Sequence, residues 1–206
     1  MITEPGKVTQ LGYDTSGNLL QKTITANGKT RIWKYTYNSA GQVLTATGPR
    51  TDIVDVTTYT YDTQGNLSSI KNAANHVTTL TNYDANGRVG RITDPNGLVT
   101  DMTYSPRGWL TSKTVGGEQT SYGYDGVGQM TKVTLPDTSF ITYTYDPAHR
   151  LTAITDSQGN KITYTLDNMG NRTGEQVKDP QGILVRNTTR TYDALNRLQQ
   201  ITGGQQ

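Results

Sequence analysis

One pattern, Tyr-Asp-x-x-Gly-x-Leu, recurs along almost the whole of this chain and leaves it few folds to choose from. It stands clearly at Tyr13-Asp14 with Gly17 and Leu19, and at Tyr61-Asp62 with Gly65 and Leu67. Tyr83-Asp84 with Gly87 and Val89, and Tyr124-Asp125 with Gly128 and Met130, each change one position. Looser copies are Tyr37-Asn38 with Gly41, Tyr104-Ser105 with Gly108, and Tyr145-Asp146 with His149 and Leu151. Leu166-Asp167 with Gly170, and Tyr192-Asp193 with Asn196 and Leu198, bring the total to nine. Most spacings run from 20 to 24 residues and the last is 26.

Each copy reads as a turn. Asp at the first turn position accepts hydrogen bonds from amides ahead of it, which favours a type I turn. Gly three residues on supplies the positive φ that the bulge after such a turn requires. Where Gly is missing, Asn196 and His149 take its place, and Asn tolerates that conformation better. A second turn falls between copies: Asp94-Pro95-Asn96-Gly97, Asp156-Ser157-Gln158-Gly159 and Asp179-Pro180-Gln181-Gly182, with Asn72 to Asn75 a worn version. Asn27-Gly28 is a favoured pair for a two-residue hairpin loop. Two turns in about 21 residues leave two strands of roughly six to eight residues. The predicted fold is therefore all-β: tandem antiparallel hairpins joined into a meander, as a single repeat array within residues 1–206, its repeats spanning roughly 13–201.

Strand alternation adds a face. Tyr35 and Tyr37, Tyr59 and Tyr61, Tyr122 and Tyr124, and Tyr143 and Tyr145 lie two apart and point to one side. Thr36, Thr60 and Thr144 point to the other. Leu67 and Ile70, like Leu151 and Ile154, are three apart and fall on opposite faces unless a bulge intervenes. No stretch reads as a helix of three or more turns.

Composition supports an ordered but polar sheet. Leu, Ile, Val and Phe make up about 18% of the chain, near the range where disorder is suspected. Net charge is only +2, there are 13 Tyr, and Thr is the commonest residue, so the balance favours β structure with a thin core. The 19 basic and 17 acidic residues are interspersed, without the basic stripe that nucleic acid calls for. Cys is absent, which removes disulfides, thiolate metal sites and cysteine nucleophiles. No apolar run has the length of a membrane span, and the first residues lack a signal-peptide pattern.

These motifs resemble those of the YD-repeat proteins: bacterial Rhs proteins, the B and C components of insecticidal toxin complexes, and the animal teneurins. The likeness runs from Tyr13 to about Ile201. It implies a sheet strip that curves and spirals into a hollow β-shell, which in the bacterial members encloses a C-terminal toxin domain until delivery. Teneurins use such a shell for adhesion. Three family parts have no counterpart here: a PAAR-like domain, a toxin domain, and the core-closing segment with its self-cleaving aspartate. Asp94-Pro95-Asn96-Gly97-Leu98 echoes that segment but sits where a second turn falls.

The resemblance thus implies a structural shell segment that helps deliver a toxin, not an enzyme, with no cofactor. Its partners would be the rest of a larger Rhs polypeptide and the enclosed toxin domain, with self-association through open sheet edges and no nucleic acid. It further implies a bacterial protein made in the cytoplasm and secreted, or delivered at the cell surface, within that larger protein. Nine hairpins give about 18 strands, or ~86 Å at ~4.8 Å each. Rolled into a ring that strip is ~27 Å across, too narrow for a 100-residue domain of ~13 Å radius of gyration. The piece alone does not enclose a folded cargo.

Other chemistry is thinly represented. His76 follows a turn and His149 occupies one; two His and no Cys make a poor zinc site. Glycines 116, 117, 123, 126 and 128 lie at hairpin positions, not in a phosphate-binding loop. Paired carboxylates can do acid–base work, but each Asp here is accounted for by its turn. Rows of such Asp could collect a hard cation only weakly. The tyrosine row offers an alternative, an adhesion or carbohydrate-binding face, since tyrosine combines a flat apolar body with a polar tip.

Overall fold

The structure, a computed structural model, describes residues 1–205 and contains no helix among them. Two compact units divide the chain, Met1–Asp101 and Met102–Gln206. The first holds β1 (Ile2–Glu4), β2 (Lys7–Tyr13), β3 (Leu19–Ala26), β4 (Lys29–Tyr37) and β5 (Val43–Thr47). It continues with β6 (Val56–Tyr61), β7 (Leu67–Lys71), β8 (Val77–Thr81), β9 (Arg91–Thr93) and the start of β10 (Val99–Tyr104). The second holds the rest of β10, then β11 (Leu110–Val115), β12 (Glu118–Tyr124), β13 (Met130–Thr134) and β14 (Phe140–Tyr145). It ends with β15 (Leu151–Asp156), β16 (Lys161–Leu166), β17 (Arg172–Lys178), β18 (Leu184–Tyr192) and β19 (Leu198–Gln205).

Within each unit, strands pair antiparallel with their neighbours in the chain, from β1 with β2 to β9 with β10, and from β11 with β12 to β18 with β19. The hairpin meander read from the repeat is the observed fold. Strand lengths scatter more widely than expected, from 3 to 9 residues. A hairpin also precedes the first motif: β1 and β2 turn through Pro5 and Gly6, the latter at φ 73°.

The turns show the geometry that the motif demands. The Asp62 amide donates to the Asn66 carbonyl at 2.8 Å, and the Gly65 amide donates to the Asp62 carbonyl at 3.1 Å. Gly65 has φ 85°, while the substitutes His149 and Asn196 have φ 64° and 59°. The second turns repeat this, with Gly97, Gly159 and Gly182 at φ 84°, 95° and 82°. Thr138, at φ 72°, closes a further turn from Leu135 that has neither Asp at its head nor Gly at its end.

Beyond seven of the motif turns, those at Tyr13, Tyr37, Tyr61, Tyr124, Tyr145, Leu166 and Tyr192, the register slips by one residue, whereas β8 and β9 flank the Tyr83 turn in unbroken register. Tyr61 pairs with Leu67, yet Thr60 pairs with Ser69 and Tyr59 with Ile70. Tyr145 pairs with Leu151 and Tyr143 with Ile154 in the same way. The extra residue is a bulge, and it turns a spacing of three into a shared face. Leu67 and Ile70 therefore lie beside Tyr61 and Tyr59 on the tyrosine face. On the other side hydroxyls meet across the strands, Thr36 with Thr45 at 2.6 Å and Thr60 with Ser69 at 2.6 Å.

Each unit is one layer of sheet, so burial is slight. Among the described residues only Ala153 and Glu175 fall below a tenth exposed, at 7% and 8%. Accessible surface totals 13455 Å², against about 9,500 Å² for a compact chain of this mass. Backbone pairing and turn geometry must therefore supply specificity that a core supplies elsewhere. Gly65→Ala tests this: a Cβ there meets nothing closer than Gln42 Nε2 at 3.6 Å, so strain comes from φ alone. Urea denaturation is expected to show a loss of about 1–2 kcal/mol for Ala and clearly less for Asn. Equal losses would refute the turn account.

Candidate functional site

The motif residues gather at one end of each hairpin. In the first copy, Asp14 Oδ1 accepts the amides of Ser16 (2.9 Å) and Asn18 (2.8 Å), while Oδ2 accepts Asn18 Nδ2 (2.9 Å). Asp62 and Asp167 repeat this with Asn66 and Asn171. At Asp84, Asp146 and Asp193 the outer oxygen takes the Nε of Arg88, Arg150 and Arg197, at 2.6, 2.7 and 2.7 Å. Asp125 holds the amides of Val127 and Gln129. Asn38 substitutes with its amide oxygen, and at Ser105 the hydroxyl accepts the Trp109 amide at 3.1 Å.

The residue after each motif Gly is thus a working part of the turn, a role the sequence reading did not assign. Its signal was present: Asn18, Gln42, Asn66, Arg88, Gln129, Arg150 and Asn171 all carry a side-chain donor. Several also reach the next turn. Gln42 Nε2 donates to the Gly65 carbonyl at 2.7 Å, Gln129 Nε2 to that of His149 at 2.9 Å, and Arg150 Nη1 to that of Asp167 at 2.9 Å. Arg107 likewise bonds the Gly126 carbonyl.

The motif tyrosines do a second job. Tyr37 Oη donates to the Leu19 carbonyl at 2.9 Å, Tyr61 to Val43 at 2.8 Å and Tyr83 to Leu67 at 2.6 Å. Tyr124 reaches Leu110 at 2.9 Å, Tyr145 reaches Met130 at 2.9 Å and Tyr192 reaches Arg172 at 3.1 Å. Leu19, Val43, Leu67, Met130 and Arg172 are the residues at the register slips. The backbone ladder between β3 and β4 ends at Gln21 and Lys34, and that between β7 and β8 at Ser69 and Thr79. Each hydroxyl therefore clips two strands together just past the point where amide pairing stops. Leu166 fills the tyrosine slot in its copy and brings no hydroxyl. Tyr13 is exposed and precedes the first such junction, while Tyr104 approaches Met102 Sδ at 3.6 Å.

Ionisation fits these roles. Hydrogen bonds from the side-chain amides of Asn18, Asn66 and Asn171 hold Asp14, Asp62 and Asp167 below the usual carboxylate range. Asp146 and Asp193 are lowered by the amides and then the guanidiniums of Arg150 and Arg197. At Asp84 desolvation pushes upward, but the amide and guanidinium of Arg88 together outweigh it. Burial raises the hydroxyls of Tyr83, Tyr124 and Tyr145, which keeps them protonated donors. A carboxylate with both oxygens occupied and a lowered pKa is poorly suited to general acid or base work. No group of three or more His, Asp or Glu side chains converges to hold a metal among the described residues.

A repeated turn of this chemistry, carried on a single-layer hairpin meander, defines a YD shell. The teneurin YD-shell family model matches residues 7–173, and the chain belongs to that family, a structural shell fold. In three dimensions it is similar to the crystal structure of TcdB2–TccC3–Cdc42, with a TM-score of 0.75 at 19% identity over 93% of this chain. TcdB2–TccC3 without its hypervariable C-terminal region gives 0.74 at 19% identity and 93% coverage. A further TcdB2–TccC3 structure gives 0.69 at 17% identity over 94% of the chain. This chain spans only 12–14% of the length of those chains. No curated protein sequence matches it.

Two measurements test the site. Tyr83→Phe removes a hydroxyl bonded at 2.6 Å and is expected to destabilise by about 1 kcal/mol, whereas Tyr59→Phe, whose hydroxyl has no partner among the described residues, is expected to be near neutral. Equal effects would remove the clip. Because the turn carboxylates have lower pKa values folded than unfolded, their stabilisation is complete above the unfolded pKa and is lost as pH falls through the folded values. The urea midpoint is expected to stay level from about pH 5 to 8 and fall below about pH 4. A midpoint that rises on acidification would contradict the assignment.

Proposed function

We propose that this chain is a length of wall in a larger bacterial YD-repeat polypeptide, enclosing a C-terminal toxin domain of that polypeptide and helping to deliver it, without catalysis of its own. The repeats from Tyr13 to about Ile201 act as one array in this reading. The observation that carries it is how the motif groups are used. Turn carboxylates hold amides, and most motif tyrosine hydroxyls hold carbonyls of the neighbouring strand, so these groups make sheet rather than a reaction centre. The Rhs and toxin-complex resemblance supports an enclosed cargo. So does the hypervariable C-terminal region of the TcdB2–TccC3 chains that share the fold. The partners are the remainder of the polypeptide and its cargo, and the route is export or delivery within that larger protein. No helix of the described residues is long and apolar enough to cross a membrane.

Limited proteolysis of the full-length polypeptide tests the reading. The region C-terminal to the repeats is expected to resist protease until the wall is opened by Asp→Ala changes at Asp62, Asp125 and Asp146 together. Digestion at one rate in both proteins, or a reading frame with no C-terminal domain, would sink it.

One observation favours a second reading, a glycan-binding or adhesion face. Tyr35, Tyr59, Tyr122 and Tyr143, two residues before the motif tyrosines, have hydroxyls without a hydrogen-bond partner among the described residues. Glycan-array binding lost in a folded Tyr143→Ala variant would promote it over the shell.

A further inference from the structure

On the tyrosine face a hairpin with the register slip fills three slots: a residue two before the motif tyrosine, the residue at the slip, and another three further on. Tyr59, Leu67 and Ile70 fill them in one copy, and Tyr143, Leu151 and Ile154 in another. In one place these slots turn to charge together. Arg172 stands at the slip, as Leu67 does, and Glu175 stands where Ile70 does, paired with Tyr164. Arg190 occupies the slot two before Tyr192, and Arg186 lies four residues, two pleat repeats, earlier on the same face, paired with Val177.

The four side chains converge. Arg186 Nη2 donates to Glu175 Oε1 at 2.5 Å and Arg190 Nη2 to Oε2 at 3.4 Å, while Arg172 Nη1 lies 3.7 Å from Oε2. The Arg172 guanidinium also sits 3.7 Å over the ring of Tyr164. Glu175 is 8% exposed and its two oxygens face three guanidiniums, so three positive charges meet one negative charge. One arginine would have satisfied a buried glutamate. The Nη1 of Arg190 is enclosed and has no acceptor among the described residues. The side chains of Arg172 and Arg186 remain 43% and 48% exposed, with donors to spare.

We propose that Arg172, Arg186 and Arg190, gathered by Glu175, form a binding site for a carboxylate of an acidic polypeptide segment lying against the tyrosine face. Glu175 positions the three cations against their mutual repulsion, and their excess charge of two fixes the sign of the ligand. A planar carboxylate matches the guanidinium fork with two parallel hydrogen bonds. An extended segment can set further carboxylates against Arg172 and Arg186, which a lone small anion does not. The site stands whether or not the chain is part of a shell, because any acidic segment that reaches this face fits it.

The test is titration of the 206-residue chain with hexaglutamate by calorimetry, with inorganic phosphate as the competing anion and circular dichroism to confirm folding. Saturable binding is expected that weakens with salt, falls at least tenfold in both Arg186→Gln and Arg172→Gln, and is unchanged in Arg31→Gln, an exposed arginine on β4. Phosphate is expected to displace the peptide only in large excess. Absence of saturable binding, affinity unaltered in both site variants, or phosphate binding tighter than the peptide would each overturn the proposal.

Discussion

A sheet one layer thick has water within reach of both faces, and that single constraint explains most of what this chain does with its residues. Hydrophobic burial, which dominates the stability of ordinary domains, is scarce here: of the described residues only Ala153 and Glu175 are buried. What remains is the satisfaction of backbone groups, and it fails first at strand ends, where amide pairing stops. The motif addresses those ends. Its carboxylate ties down two amides and a side chain within the turn, and its tyrosine hydroxyl caps a carbonyl on the neighbouring strand. The Gly or Asn at positive φ lets the chain reverse in the space available.

The backbone plan was legible because turn chemistry is local. Asp, Gly and their spacing specify φ and hydrogen bonding within five residues, so the reading from Tyr13 to Asn196 carried over to the structure almost turn by turn. Features set by pairing across strands were not legible. The face shared by Leu67 and Ile70 depends on a register slip that no single strand records. The tyrosine clips join residues 14 to 20 positions apart, and their acceptors are carbonyls, which have no side-chain signature. The turn ending at Thr138 was missed because it lacks both marker residues, and the β1–β2 hairpin because it stands outside the repeat. The charged cluster around Glu175 was hidden for a different reason. Arg172, Glu175 and Arg190 each look like an ordinary surface charge until the pairing puts them in slots that other copies fill with Leu, Ile and Tyr.

The same economy shapes the functional account. A repeated unit whose polar groups are engaged with one another makes a surface that extends by addition of further hairpins, which suits a wall. The place where the repeat departs from its own pattern, three arginines on one glutamate, is where a specific contact belongs. Shell and contact are thus separable: one follows from what the copies share, the other from what one copy does differently.

The central claim is that stability is local, each hairpin being held by its own turn carboxylate and by clips to its chain neighbours. Residue-resolved hydrogen exchange on Asp62→Ala measures this most directly. The account predicts faster exchange in β6, β7 and the strands beside them, with β14 and β15 unchanged. A uniform loss of protection from β2 to β18 would contradict it, because the chain would then be a single cooperative unit.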